Sequence, residues 1–273
     1  MQRVRRRGDR EDVIVPRFKG AGTGCQGARG IPTFGKTGTT GKTGTRWQDW
    51  HLRSDWHALR ASMQFIDLLL LASQERATLP RWNGQTISVR RQKLGDLSLP
   101  SGRVIAIDPV HWGAPWMAGS AFSFSVPPGS YPVYASVFDL DEYPCVALVY
   151  AVFSANAVDR WKMATRPGEN LATLDDDEFF GFGVDAGVGS YLSPEAAAFL
   201  QEHPEAVDFP YAGVGGETRI DDSLNAVYFR TGGGDGHYPS YVTWDSSGDV
   251  VSLTTDFGII DLEVDFNRLG NPG

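Results

Sequence analysis

The sequence predicts a mainly β protein, an antiparallel layered sheet or a β-sandwich, that carries two short helices; an α+β fold is the alternative. Three observations support this prediction. Short runs of β-branched and aromatic residues recur from residue 86 onward. Glycine, proline and aspartate separate these runs at turn spacing. Only two segments have the periodicity or capping residues of a helix.

The composition is that of a globular chain with a sizeable core. Of its 273 residues, 41% are hydrophobic and 12% aromatic. The two cysteines, Cys25 and Cys145, lie far apart and form neither a CxxC nor a CxxH pair. This spacing excludes a disulfide framework and a thiolate zinc site.

The net charge of −8 conceals two different segments. Residues 1–60 contain thirteen Lys or Arg and five Asp or Glu, a net charge of +8, whereas the remainder carries −16. We expect residues 1–53 to be a disordered, basic, Gly/Thr-rich head and residues 54–273 to be one β-rich domain. The charge of the domain opposes nucleic acid, so only residues 1–60 could contact it, weakly and non-specifically.

The sequence favours a cytoplasmic protein without a membrane span. The arginines at Arg3 and Arg5–Arg7 are followed only by the short apolar run Val13–Val15, which does not make a signal peptide. The longest apolar stretch, Leu68–Ala72, is far shorter than the roughly 20 residues that cross a bilayer.

A match to a nucleotide-binding loop is rejected on its context. Residues 30–37 read GIPTFGKT and fit the GxxxxGK[ST] pattern. That loop needs a preceding buried strand and a following helix, so that N–H groups converge on phosphate. Here the flanking residues are GCQGAR and TGTTGKTGTR, which favour neither element.

Two helices are predicted. The first begins at Ser54, has an apolar stripe at three- and four-residue spacing that extends to Ala77, and ends at Pro80. The second covers Pro194 to Glu202, with Ser193 as N-cap and proline in its first turn.

Eleven short segments are predicted as strands, and Asp245–Gly248 is predicted as a short hairpin loop between two of them. The strands are Thr86–Arg91, Arg103–Ile107, Phe122–Val126, Pro132–Asp139, Cys145–Phe153, Val158–Ala164, Phe179–Val184, Asn225–Phe229, Tyr238–Trp244, Val250–Thr255 and Ile259–Val264.

Five short motifs follow one another in this part of the chain. They are SGR leading to DP at residues 101–109, PPGxYP at 127–132, GVDAGxG at 183–189, GDGxYxSY at 234–241 and TDFG at 255–258. In this order they resemble a bacterial domain family of unknown function, the family numbered 4241, over roughly residues 97–260. The resemblance implies a β-rich domain and brings no established activity, substrate or cofactor.

The acidic and glycine-rich motifs suggest a metal site. Asp185, Asp235 and Asp256 lie at predicted strand ends, and they could converge with His237 on one rim of the sheet. Carboxylate and imidazole groups could hold a divalent cation that activates water, which makes a metal-dependent hydrolase one hypothesis, with Asp185, Asp235 and His237 as catalytic candidates. Turn chemistry is the competing interpretation, since Asp before Gly is typical of tight turns.

A binding module is the preferred hypothesis. We expect the rim formed by the GVDAGVG and GDGHY loops to recognise a small polar ligand or a protein partner. Aromatic side chains can stack on a ligand or anchor a partner. The predicted ligand contacts are Gly187, Gly189, Gly234, Gly236, Tyr238 and Tyr241.

Overall fold

The computed structural model describes residues 74–140, 143–175, 178–207 and 213–265. Twelve strands and two α-helices are found within these ranges. They are β1 (Arg76–Pro80), β2 (Thr86–Leu99), β3 (Ile105–Ile107), β4 (Gly129–Leu140), β5 (Tyr143–Val152), β6 (Arg160–Met163), β7 (Gly181–Val184), β8 (Val188–Leu192), α1 (Pro194–Glu202), β9 (Gly215–Arg219), β10 (Asn225–Arg230), β11 (Gly236–Trp244), β12 (Val250–Asp256) and α2 (Ile259–Glu263). The mainly β prediction is confirmed.

The strands form two antiparallel sheets. The large sheet has the order β1-β2-β4-β5-β12-β11-β6, and β7 pairs with the first half of β11. The small sheet has the order β3-β8-β10-β9. Sequence-distant strands therefore lie side by side, since β3 pairs with β8 across more than eighty residues of chain.

The small sheet is a middle layer with a core on each face. Along β3, Ala106 belongs to the large core shared with the large sheet, whereas Ile105 and Ile107 belong to a second, smaller core. Alternate residues of a strand point to opposite faces, so both faces of β3 are buried. The second core is closed by α1, through Ala197 and Leu200.

Hydrogen bonds tie the small sheet to β2 at the edge of the large core. The amide of Asn225 on β10 donates to the carbonyl oxygen of Asp96 (2.6 Å) and accepts from the N–H of Ser98 (2.8 Å). Its Nδ2 also donates to Glu217 of β9 (2.7 Å). One side chain thus fixes the position of β2 against two strands of the other sheet.

A chain of buried hydroxyl groups connects the two sheets through the large core. The phenol oxygen of Tyr191 on β8 lies 2.6 Å from the hydroxyl oxygen of Thr255 on β12. The Thr255 hydroxyl oxygen in turn lies 2.7 Å from that of Ser240 on β11. Tyr191 also donates toward the carbonyl of Val149 (3.2 Å). Burial raises the pKa of Tyr191, so the phenol stays neutral and remains a donor.

Tyr191→Phe is expected to lower the free energy of unfolding by roughly 1–2 kcal/mol, because it removes a buried hydroxyl and its bonds without opening a cavity. Urea unfolding measures the loss. Tyr143→Phe is the control, since Tyr143 is 60% exposed and should cost almost nothing. A double-mutant cycle with Thr255→Val should show coupling, and additive losses would contradict a connected chain.

Three sequence-based element predictions are wrong in the described residues. Residues 76–80, expected as the end of the first helix, form β1, because they pair with residues 86–90 and bury Leu79. The expected strand Phe122–Val126 makes isolated bonds to the carbonyls of Val104 and Gly102 but no continuous ladder. The expected strand Ile259–Val264 is α2, because Gly258 has φ of 72° and turns the chain out of the sheet.

Other predictions have mixed outcomes. The helix Pro194–Glu202 is confirmed with its cap, since Ser193 Oγ accepts from the N–H of Ala196 (3.1 Å). The hairpin at Asp245–Gly248 is confirmed between β11 and β12. The predicted basic head and the start of the first helix lie outside the described residues.

Candidate functional site

The rim predicted from sequence is made of two loops that contact each other. Residues 185–187 join β7 to β8, and residues 231–235 join β10 to β11. A Cβ placed on Gly187 would lie 3.8 Å from the Cα of Gly234 and 4.0 Å from Oδ1 of Asp235. Gly187 has φ of 63°, which a side chain would also disfavour. The convergence of the GVDAGVG and GDGHY motifs is therefore observed.

Each loop is held by a network of its own. In the second loop, the carbonyl of Gly234 accepts from Thr231 Oγ1 (2.5 Å) and from the hydroxyl of Tyr238 (2.8 Å). In the first loop, the carboxylate of Asp108 accepts from the backbone N–H groups of Asp185 (2.6 Å) and Ala186 (3.1 Å). Hydrogen bonds within the protein therefore fix the conformation of both loops.

Asp108 is a site residue that sequence reasoning missed. It follows β3, is fully buried, and also accepts from the N–H of Val110 (2.8 Å) at the start of a 3₁₀ turn. Burial raises its pKa, and its three backbone hydrogen bonds oppose that rise. The available signal was a short apolar run, VIAI, that ends in Asp-Pro, which is a capping sequence.

Asp185 and Asp235 bring two exposed carboxylates to the rim. Partial burial is the main cause that raises the pKa of Asp235, the backbone N–H of Gly187 opposes the rise, and the charges of Asp185 and Asp108 add to it. The rim therefore places the negative charges of Asp185 and Asp235 close enough to oppose each other's ionisation.

Asp256 does not join these carboxylates. It is 1% exposed at the end of β12, and its Oδ1 accepts from the N–H of Gly258 (2.8 Å), where it stabilises the turn into α2. Among the residues that the structure describes, no group of three or more His, Cys, Asp or Glu side chains could hold a metal ion. The predicted metal set of Asp185, Asp235 and Asp256 therefore finds no support.

His237 lies at the start of β11, next to β7. It pairs with Gly183, and its ring lies 5.8 Å from the ring of Phe179. Burial and then the positive charge of Arg166 lower the pKa of His237, whereas Glu169 raises it. Arg166 is a second residue that sequence reasoning missed, because no motif or strand pattern in the sequence singles it out.

Three predicted ligand contacts serve the core instead. Tyr241 is 1% exposed and packs edge-on against Trp161, with 5.4 Å between ring centroids. Tyr238 is buried against Phe257. A Cβ on Gly189 would lie 2.5 Å from the ring of Phe229, so this glycine permits close packing. Among the other predicted contacts, Gly236 packs under the ring of Tyr238, whereas Gly187 and Gly234 lie on the rim itself.

The fold and these loops define a layered antiparallel β protein with an acidic loop rim. The chain belongs to the family described as "Protein of unknown function (DUF4241)", whose model matches residues 97–255. The family resemblance inferred from the motifs is thereby confirmed. Comparison with curated proteins and with solved structures found no match. In the described ranges, no helix is long and apolar enough to cross a membrane.

Proposed function

We propose that the rim formed by the GVDAGVG and GDGHY loops recognises a small polar ligand, or a side chain of a protein partner, through a cationic group. An ammonium or a guanidinium is the chemistry that the exposed carboxylates of Asp185 and Asp235 would select. The observation that supports this proposal is the setting of Asp235. Its carboxylate is exposed at the rim, and its pKa is raised mainly by partial burial and further by the charges of Asp185 and Asp108.

A cation at this position would relieve that repulsion. The two neighbouring glycines, Gly187 and Gly234, carry no side chains that would block approach to Asp235. Asp108 is buried and accepts hydrogen bonds from backbone donors, so it cannot contact a ligand directly and acts only through its charge. The contact group of the proposed site is therefore Asp235, with Asp185 beside it.

The metal-dependent hydrolase that the same residues suggested has no comparable observation in its favour. Three ligands of suitable type are not grouped within the described ranges. A metal ion bound only by Asp185 and Asp235 would have too few protein ligands for a calcium site.

The proposal is tested with agmatine, which carries one ammonium and one guanidinium, by isothermal titration calorimetry. We expect Asp235→Asn to weaken agmatine binding about tenfold or more, since a charge-assisted hydrogen bond contributes about 1.5–3 kcal/mol. Because the cation binds the ionised carboxylate, agmatine binding should weaken as the pH falls through the raised pKa of Asp235.

The matched control is Asp249→Asn. Asp249 is an exposed aspartate in the hairpin at the other end of β11, so its substitution removes the same charge away from the rim. An equal loss of agmatine binding in both variants would indicate only a general charge effect and would contradict the proposal. Titration with Mg²⁺, Ca²⁺ and Mn²⁺ forms a separate arm, in which a metal-dependent gain in stability confined to wild type would favour the hydrolase hypothesis instead.

A further inference from the structure

An apolar segment borders the acidic rim. The carboxylate that holds the rim loop also holds this segment, since Oδ2 of Asp108 accepts from the N–H of Asp185 (2.6 Å) and Oδ1 accepts from the N–H of Val110 (2.8 Å). Val110 belongs to the 3₁₀ turn Pro109–His111 and is 50% exposed. Because one side chain binds both backbones, this turn lies directly beside the loop that carries Asp185.

Trp116 continues the apolar surface from this turn. The ring centroids of His111 and Trp116 lie 5.4 Å apart, and Trp116 is 55% exposed. Val110 and Trp116 are two of the five large hydrophobic residues that are exposed in the described ranges. A single exposed hydrophobic residue needs no explanation, but an apolar group that adjoins charged residues marks an interaction surface.

Contacts with the fold hold this segment in place. Nε1 of Trp112 donates to Oγ of Ser190 on β8 (3.1 Å). Met117, at the other end of the segment, is fully buried in the second core. The backbone between these anchors is therefore positioned while Val110 and Trp116 remain exposed. A surface that is already ordered loses little conformational entropy when it binds a partner.

We propose that this apolar surface and the rim together bind a segment of a protein partner in which an arginine or lysine lies next to an aromatic residue. The inference rests on the proposed function of the rim and names its ligand class. The basic side chain contacts Asp235 and Asp185, and the aromatic side chain contacts Val110 and Trp116. Charge complementarity favours this partner, because two exposed carboxylates attract a basic residue and repel the phosphates of nucleic acids and anionic lipids.

The experiment compares two probes of equal charge, arginyl-phenylalanine amide and arginyl-glycine amide, by isothermal titration calorimetry with the full chain. We expect the phenylalanine probe to bind about tenfold more tightly, because the contact removes apolar surface of its ring from water. Trp116→Ala should abolish most of this difference and leave the binding of the glycine probe unchanged. Val110→Ser should reduce the difference in the same direction.

The matched control is Trp82→Ala. Trp82 is 44% exposed in the hairpin between β1 and β2, and four strands of the large sheet separate β1 from β11. This substitution should leave the binding of both probes unchanged. The melting temperature of each variant checks that the fold is retained, which we expect because Val110 and Trp116 are exposed.

Failure of this proposal is distinguishable from failure of the rim proposal. Asp235→Asn should weaken both probes by the same factor, and unchanged binding in that variant would overturn the rim proposal. The apolar surface is excluded if both probes bind wild type equally, or if Trp116→Ala weakens both alike. Self-association of wild type that Trp116→Ala abolishes would assign the surface to a second copy instead. Tighter binding of the phenylalanine probe to Arg46→Gln/Trp47→Ala would assign it to the basic head of the chain.

Discussion

Gly102→Ala is expected to destabilise the protein by roughly 3–5 kcal/mol, the size of effect associated with backbone strain combined with a steric clash in a buried site. Gly102 has φ of 70°, and a Cβ there would lie 1.7 Å from the carbonyl oxygen of Val126. That carbonyl cannot move away cheaply, because the N–H of Val126 is bonded to the carbonyl of Gly102 (2.9 Å). Urea unfolding and the yield of soluble protein measure the effect.

The matched control for Gly102 is Gly168→Ala. Gly168 has φ of 90°, but no heavy atom lies within 4 Å of a Cβ placed there. Gly168→Ala should therefore lower the free energy of unfolding only by the cost of the left-handed backbone conformation, about 1–2 kcal/mol. Equal losses in the two variants would mean that the contact with Val126 contributes nothing.

Asp108→Ala is expected to lower the free energy of unfolding by roughly 2–4 kcal/mol, because three backbone N–H groups lose a buried carboxylate acceptor. Two of these donors, Asp185 and Ala186, belong to the rim loop. Their amide hydrogens should therefore exchange with solvent much faster in the variant. Chemical unfolding and hydrogen exchange followed by NMR provide the two measurements.

Asp221→Ala is the corresponding control for Asp108. Asp221 also accepts from two backbone N–H groups, those of Ser223 and Leu224 (2.6 Å each), but in a turn at the surface. Water can replace its carboxylate there, so the loss should be clearly smaller. Unchanged exchange at Asp185 and Ala186 in Asp108→Ala would contradict the role of Asp108 as the anchor of the rim.

Local chemistry was sufficient to predict the elements that carry their own boundary signals. Ser193 followed by Pro194 marks the start of α1, and Asp245 with Gly248 marks the turn between β11 and β12. The small sheet was harder to predict. All five residues of β8 are buried because both faces of this sheet are covered, so β8 lacks the alternation that identifies a half-exposed strand. The β9 segment GGETR has little strand propensity and forms through its pairing with β10.

Some features of the candidate site could likewise be predicted from the sequence, and others could not. The approach of the two Asp-Gly loops could be predicted, since each motif follows or precedes a recognisable strand. The separate position of Asp256 could not, because it depends on how α2 leaves the sheet at Gly258. Arg166 has no local signal at all, and it is distinguished only by the hydrogen bond from its Nη2 to the carbonyl of Ala106 and by the position of its guanidinium near the Phe122 ring.

The two ends of the described chain meet at Arg81. Arg81 forms an antiparallel bridge with Val264, its guanidinium binds Glu263 (2.6 Å), and the N–H of Asp265 donates to the carbonyl of Pro80 (2.8 Å). During synthesis, β1 and β2 leave the ribosome long before these partners exist. The contacts at Arg81 can therefore form only after residues 263–265 have been synthesised, so this edge of the sheet is among the last parts of the domain to close.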